Sequence, residues 1–144
     1  TPDELEDGLA LGIEELVGNP DVAARLAALW QRRGPAAALP VQLALNSGGM
    51  SRNGIELAHA AGQAAARAVL AQAGLAISGV MTHFPGEDAA DILGQLQRFH
   101  ADLAWLKREG LPTDRLLRHT ANSFATLQHP ETRLDMVRVG GLLY

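Results

Sequence analysis

Cysteine is absent from the 144 residues. That excludes disulfides, thiolate nucleophiles and zinc sites of the Cys type, and it leaves the compartment open, because a chain of this length can cohere through its core alone. Lysine is nearly absent too: eleven of the twelve basic residues are Arg and the twelfth is Lys107. Chemistry that needs a Lys nucleophile therefore has one candidate. Positive charge is not in excess, since 16 acidic residues outnumber the 12 basic ones and the formal net charge is −4. Sequence-independent nucleic-acid binding, which draws on counterion release by Lys and Arg, is not expected. Long apolar runs are also lacking, none approaching the roughly 18 to 20 residues that span a bilayer. Residues 1–10 (TPDELEDGLA) have neither the basic start nor the apolar middle of a signal peptide, so no membrane contact is expected. The five His, at 59, 83, 100, 119 and 129, show neither His-x-x-x-His nor His-Glu-x-x-His spacing, and no metal site is expected.

What remains is rich in Ala, Leu and Gly and strongly periodic. Thr1-Pro2-Asp3-Glu4 has the order of a capping box, with a hydroxyl at the N-cap, Pro at N1 and Glu at N3, and predicts a helix over 2–11. An apolar run over 13–17 reads as a strand, and Asn19-Pro20-Asp21 opens a second helix that closes on Arg32-Arg33-Gly34. Residues 39–45 (LPVQLAL) read as a strand, SGGMSRNG as a glycine-rich loop, and 55–73 as an Ala-rich helix. The unit repeats with a strand over 75–82 and a long amphipathic helix over 88–109, on which Ile92, Leu96, Phe99, Leu103 and Leu106 recur at spacings of three and four. A fourth strand over 116–120, a helical turn over 122–128 and a fifth strand over 135–139 complete the pattern. Trp30, Phe99 and Trp105 are expected to pack the core, and Asp135 to pair with a cation or cap a turn.

Strand and helix alternating about every 30 residues mark parallel βα units, and about five fit in the chain. Two architectures use them. A five-stranded doubly wound sheet suits this length, whereas a complete (β/α)₈ barrel takes about 250 residues. In both, ligands meet the carboxyl ends of the strands. Those ends carry Asn46-Ser47 and Arg52-Asn53, then Thr82-His83, Thr120-Ala121-Asn122-Ser123, and Arg138-Val139-Gly140-Gly141. The set has cations, a histidine, an Asn-Ser pair at a helix start and a Gly-Gly turn, with no carboxylate pair. Backbone N–H groups at such a helix start and turn suit a phosphate. Each residue also has a plainer reading: Arg52 bracing its loop, His83 a satisfied rim histidine, Asn122-Ser123 an ordinary N-cap pair, Gly140-Gly141 a simple turn.

Taken together, PVQLALNSGGMSRNG (40–54), GVMTHF (79–84) and ANSFATLQHPETRLDMVRVGG (121–141) resemble, in order and spacing, the fold type III pyridoxal-phosphate racemases of the alanine racemase family. The likeness extends over essentially the whole chain. Asn46-Ser47 and Ser51-Arg52-Asn53 look more like the broad-specificity amino-acid racemase branch. The resemblance implies a segment of a (β/α)₈ barrel rather than the doubly wound sheet, from a homodimeric enzyme that interconverts L- and D-amino acids with pyridoxal 5'-phosphate. It also implies that Arg138 faces the pyridine nitrogen, that Arg52 lies near the phenolic oxygen and the substrate carboxylate, and that His83 lies against the ring. Asn122, Ser123, Gly140 and Gly141 would hold the phosphate, and Asn46 and Asn53 would bear on substrate choice.

The family's Schiff-base Lys and opposing Tyr have no match here. Lys107 lies in a helix and Tyr144 in a segment unlike that of the catalytic Tyr. The segment alone is thus expected to be inactive, a non-catalytic barrel remnant that binds a phosphate-bearing ligand or a partner protein being the alternative. Relatives of the broad-specificity branch point to the periplasm, housekeeping alanine racemases to the cytoplasm. An isolated piece of barrel is expected to expose apolar strand residues such as Val41, Leu43, Ile77 and Val80.

Overall fold

A computed structural model describes residues 2–49 and 54–143, with side chains from residue 4 onward. Four strands form one parallel sheet: β1 (Glu15–Val17), β2 (Leu39–Ala44), β3 (Leu75–Met81) and β4 (Leu117–His119). Helices α1 (Pro2–Ala10), α2 (Pro20–Arg32), α3 (Ala60–Leu70), α4 (Ala89–Arg108) and α5 (Ser123–Gln128) alternate with them. Neighbours in space are neighbours in sequence, in the order β1-β2-β3-β4. A doubly wound sheet must reverse direction at a switch point, and sequential order is what a barrel winds. The order therefore favours the barrel segment over the alternative.

The helix signals act as sequence chemistry requires. Asn19 Oδ1 accepts the Val22 N–H at 2.9 Å and caps α2 behind Pro20. Asp88 does the same for Asp91 N–H at the start of α4. The capping box over 1–4 includes Thr1, which lies outside the described residues. The long helix expected over 55–73 begins only at Ala60. Ile55 instead bridges to Leu45, its N–H bonded to the Ala44 carbonyl at 2.9 Å, because Ile55 and Leu57 are drawn into the core.

The main core lies between the sheet and the helices, where Val17, Leu26, Val41, Leu43, Val69, Val80, Phe99 and Leu106 are fully enclosed. Trp30 and Trp105 pack against its margin, and the Arg67 guanidinium stands 5.1 Å over the Trp105 ring. This corrects one expectation. Val41, Leu43 and Val80 are buried under helices and Ile77 packs against the same cluster, so the apolar face of the sheet is not the open one. Period-two alternation turns Gln42 to the opposite face. Exposed apolar residues include Leu11, Leu16, Leu127, Val139 and Leu143 instead.

No fifth strand forms over 135–139 among the described residues, correcting the count of five to four. The segment does run beside β4, with Asp135 N–H bonded to the Arg118 carbonyl at 3.0 Å and Arg138 N–H to the Ala121 carbonyl at 3.0 Å. Its ladder is interrupted because the Asp135 carboxylate, at 2.8 Å, accepts the Arg118 N–H that a strand neighbour's carbonyl would take. The same carboxylate binds the Arg118 guanidinium, so Asp135 pairs with a cation as expected.

Candidate functional site

The carboxyl ends of β3 and β4 and the segment after them converge on Arg138. Its Nη2 donates to the Thr82 carbonyl at 3.0 Å and the Thr120 carbonyl at 3.2 Å, the first residues beyond the two strands. Its Nη1 lies 2.7 Å from His119 Nδ1. Guanidinium carries five N–H donors in a rigid plane, and these contacts fix that plane while leaving Nε–H and one Nη1–H outside them. Desolvation by burial lowers the Arg138 pKa, yet the group stays a cation at any physiological pH. His119 is enclosed; burial, and then the Arg138 charge, push its pKa down to about 4, so the imidazole is neutral.

The residues expected to bind an anion also come together. Asn122 Oδ1 accepts the Ala125 N–H at 2.9 Å as N-cap of α5, and its Nδ2 donates to the Phe84 carbonyl at 3.3 Å. The N-cap reading of Asn122 therefore holds. Ser123 Oγ accepts the Gly140 N–H at 3.0 Å, bringing the Gly140-Gly141 turn against the first turn of α5. The serine keeps its own O–H to donate. A Cβ on Gly140 would meet nothing within 4 Å, so the turn faces open space.

On β2's side, Asn46 is half-buried and Ser47 is buried. Ser47 Oγ donates to Asp102 Oδ2 at 2.6 Å, its carbonyl accepts from Arg98 Nε at 2.8 Å, and its N–H donates to Thr82 Oγ1 at 3.3 Å. The start of the glycine-rich loop is thereby tied to α4 and to β3. Burial pushes the Asp102 carboxyl up, against the opposing pull of Ser47 and Arg98. Arg52 and Asn53 lie outside the described residues. His83 is exposed on the rim just past β3.

Lys107 is on the last turn of α4, paired with Asp114 ahead of β4, at the end of the sheet opposite the rim. It is not placed to reach a ligand at the strand carboxyl ends. The sequence reading passed over His119 as one of five scattered histidines and did not single out Gln42. The available signals were that His119 ends a strand and that Gln42 is the one polar residue in LPVQLAL.

Parallel βα units in sequential order, with Arg138 pinned and the Gly140-Gly141 turn held at one rim, define a segment of a (β/α)₈ barrel. A family model described as alanine racemase, N-terminal domain, matches residues 1–144, and the chain belongs to that family. It is 46% identical over 142 residues to a broad specificity amino-acid racemase of Pseudomonas putida, covering 98% of this chain and 34% of the relative. It is 41% identical over 145 residues to a lysine racemase of Proteus mirabilis, covering 100% and 35%. Among solved structures, alanine racemase of Clostridium difficile 630 matches with a TM-score of 0.83 at 22% identity, covering 100% of this chain and 37% of that one, a likeness of fold. The alanine racemase of Streptomyces lavendulae matches with a TM-score of 0.80 at 31% identity, covering 97% and 36%. The chain spans about a third of the length of these relatives.

Proposed function

We propose that this chain is the cofactor-holding part of a pyridoxal-phosphate-dependent amino-acid racemase of broad specificity. The observation that carries the reading is Arg138, fixed by two strand-end carbonyls and a neutral imidazole with donors to spare at the rim. Relatives named as broad-specificity and lysine racemases, at more than 40% identity, support the substrate range.

The residues fit the cofactor chemically. Ser123, Gly140 and Gly141 would hold the phosphate through a hydroxyl and backbone N–H groups, behind the Asn122 cap. Bound there, pyridoxal 5'-phosphate would supply the electron sink that acidifies the amino-acid Cα–H. Arg138 would face the ring nitrogen, and a guanidinium that does not release its proton holds that nitrogen unprotonated. That restrains electron withdrawal into the ring and with it side reactions such as transamination. Arg52 would steady negative charge near the phenolic oxygen and the substrate carboxylate, with His83 against the ring and Asn46 and Asn53 shaping the substrate pocket. The covalent Lys and the opposing Tyr would come from other parts of the enzyme, in a homodimer, and residues 1–144 alone would be inactive. The periplasm is the compartment proposed for it, on the resemblance to the broad-specificity branch.

The test is the intact protein incubated with L-alanine, L-lysine and L-arginine in deuterated water. The expected result is formation of D-isomers with deuterium at Cα, lost on removal of pyridoxal phosphate and restored by adding it back. Absence of exchange in the loaded protein would overturn the reading.

A further inference from the structure

A line of hydrogen bonds leaves Arg138 in the other direction, away from the rim and across the inner face of the sheet. His119 Nε2 lies 3.2 Å from Gln42 Oε1, and Gln42 Nε2 lies 3.1 Å from Glu14 Oε1. Gln42 is on β2 and His119 on β4, so the amide must cross β3 between them. It does so at Gly79, where an added Cβ would stand 1.9 Å from Gln42 Oε1. The register places Gly79 there: Val41 pairs with Ile77 and Gln42 with Gly79, a bulge that leaves Ser78 unpaired. The Ser78 hydroxyl bonds the Glu14 carboxylate and holds the far end of the line.

Both ends have a fixed sense. A guanidinium only donates, so His119 Nδ1 must be the bare, accepting nitrogen. A carboxylate only accepts, so the Gln42 NH₂ must face Glu14 and its carbonyl oxygen must face His119. The two constraints meet at the imidazole. The proton must sit on Nε2 and be donated to Gln42.

We propose that Gln42 is a positioning residue that, anchored by Glu14 and admitted by Gly79, holds His119 in the Nε2–H tautomer and so presents its Nδ1 lone pair to orient Arg138. The lowered His119 pKa of about 4 agrees, since only a neutral ring can accept from a cation. Among the described residues, the charges on this line are Arg138 and Glu14, and β3 contributes Ser78 and Gly79, with Thr82 just beyond its end. Arg118, next to His119 on β4, is engaged by Asp135. What Arg138 orients rests on the function proposed above, whereas the tautomer does not.

The experiment is long-range ¹H–¹⁵N correlation of the intact protein labelled with ¹⁵N-histidine, assigned by a His119→Gln variant, at neutral pH and with no substrate. The expected spectrum shows His119 neutral with its proton on Nε2. Gln42→Glu keeps the size and the acceptor but places a carboxylate beside Nε2, and the His119 titration midpoint should rise by more than one unit. Gln42→Met, similar in size with no amide, should weaken the preference for Nε2–H, leaving Arg138 alone to impose it. A wild-type Nδ1–H tautomer or imidazolium overturns the proposal, as does a titration midpoint unmoved in Gln42→Glu. These readouts need no turnover, so a protein that fails to racemise can still show the tautomer, and a racemase can still lack it.

Discussion

Arg138 Nη1 and His119 Nδ1 stand 2.7 Å apart, a permanent cation donating to an enclosed imidazole. Protonating that ring places two cations in contact. The folded pKa of about 4 lies below the ordinary 6.5, so the contribution to stability is complete above 6.5 and is lost as pH falls toward 4. Over that window the loss amounts to about 3 kcal/mol. Thermal midpoints of the intact protein measured from pH 7 to pH 4 should fall more steeply for the wild type than for His119→Gln, and equal slopes would contradict the coupling.

Gly79→Ala is expected to be among the most damaging small substitutions in the sheet. The new Cβ would stand 1.9 Å from Gln42 Oε1 and 2.7 Å from the Leu117 carbonyl oxygen, backbone that cannot move aside. The expected cost is about 1–3 kcal/mol or more, from overpacking. Gly94→Ala on α4 serves as the control, since its Cβ would have only Arg98 Nη1 at 3.8 Å, and it should gain about 0.5–1 kcal/mol. Chemical denaturation of the two variants reads both signs.

Asp102→Asn should stabilise near neutral pH. The folded carboxyl has its pKa raised, chiefly by burial, so it binds its proton more tightly folded than unfolded. Stability from this group is therefore greatest at low pH and declines as pH rises from the ordinary 3.8 through the folded value. Asparagine still accepts from Ser47 Oγ and carries no charge. Melting curves should show the variant at or above the wild type at pH 7, with the gap closing in acid.

Asp135→Ala should loosen the segment that carries Arg138. It removes the acceptor for both the Arg118 N–H and the Arg118 guanidinium, and with it about 1 kcal/mol. Asp135→Asn, which keeps one acceptor oxygen, should lose less. Pyridoxal-phosphate affinity, titrated by absorbance, should weaken in the order wild type, Asn, Ala.

Much of the rim was legible in advance. Parallel βα periodicity places polar residues at strand ends without any knowledge of register, which is why Ser123 and Gly140, 17 residues apart, were grouped and do meet. Local chemistry also named the cap Asn19, and periodicity started the long helix at Asp88, which caps it. The inner face was not legible. Gln42 and His119 are 77 residues apart, and their contact depends on a bulge at Val41/Gln42 that no local pattern announces. The assignment of Val41, Leu43 and Val80 to open surface failed for a related reason, since alternation shows that two faces exist but not which one the helices cover. The strand expected over 135–139 failed because a side-chain carboxylate took a ladder position.

The most direct test of the account replaces Arg138 with Glu in the intact protein, with circular dichroism confirming the fold, and follows the fate of L-alanine. With Arg138 facing the ring nitrogen as proposed, a carboxylate in its place would favour protonation of that nitrogen, where a guanidinium would oppose it. Racemisation should fall and transamination to pyruvate should rise, so that the ratio of the two products shifts toward pyruvate. An unchanged ratio would show that Arg138 does not face the ring and would contradict the account.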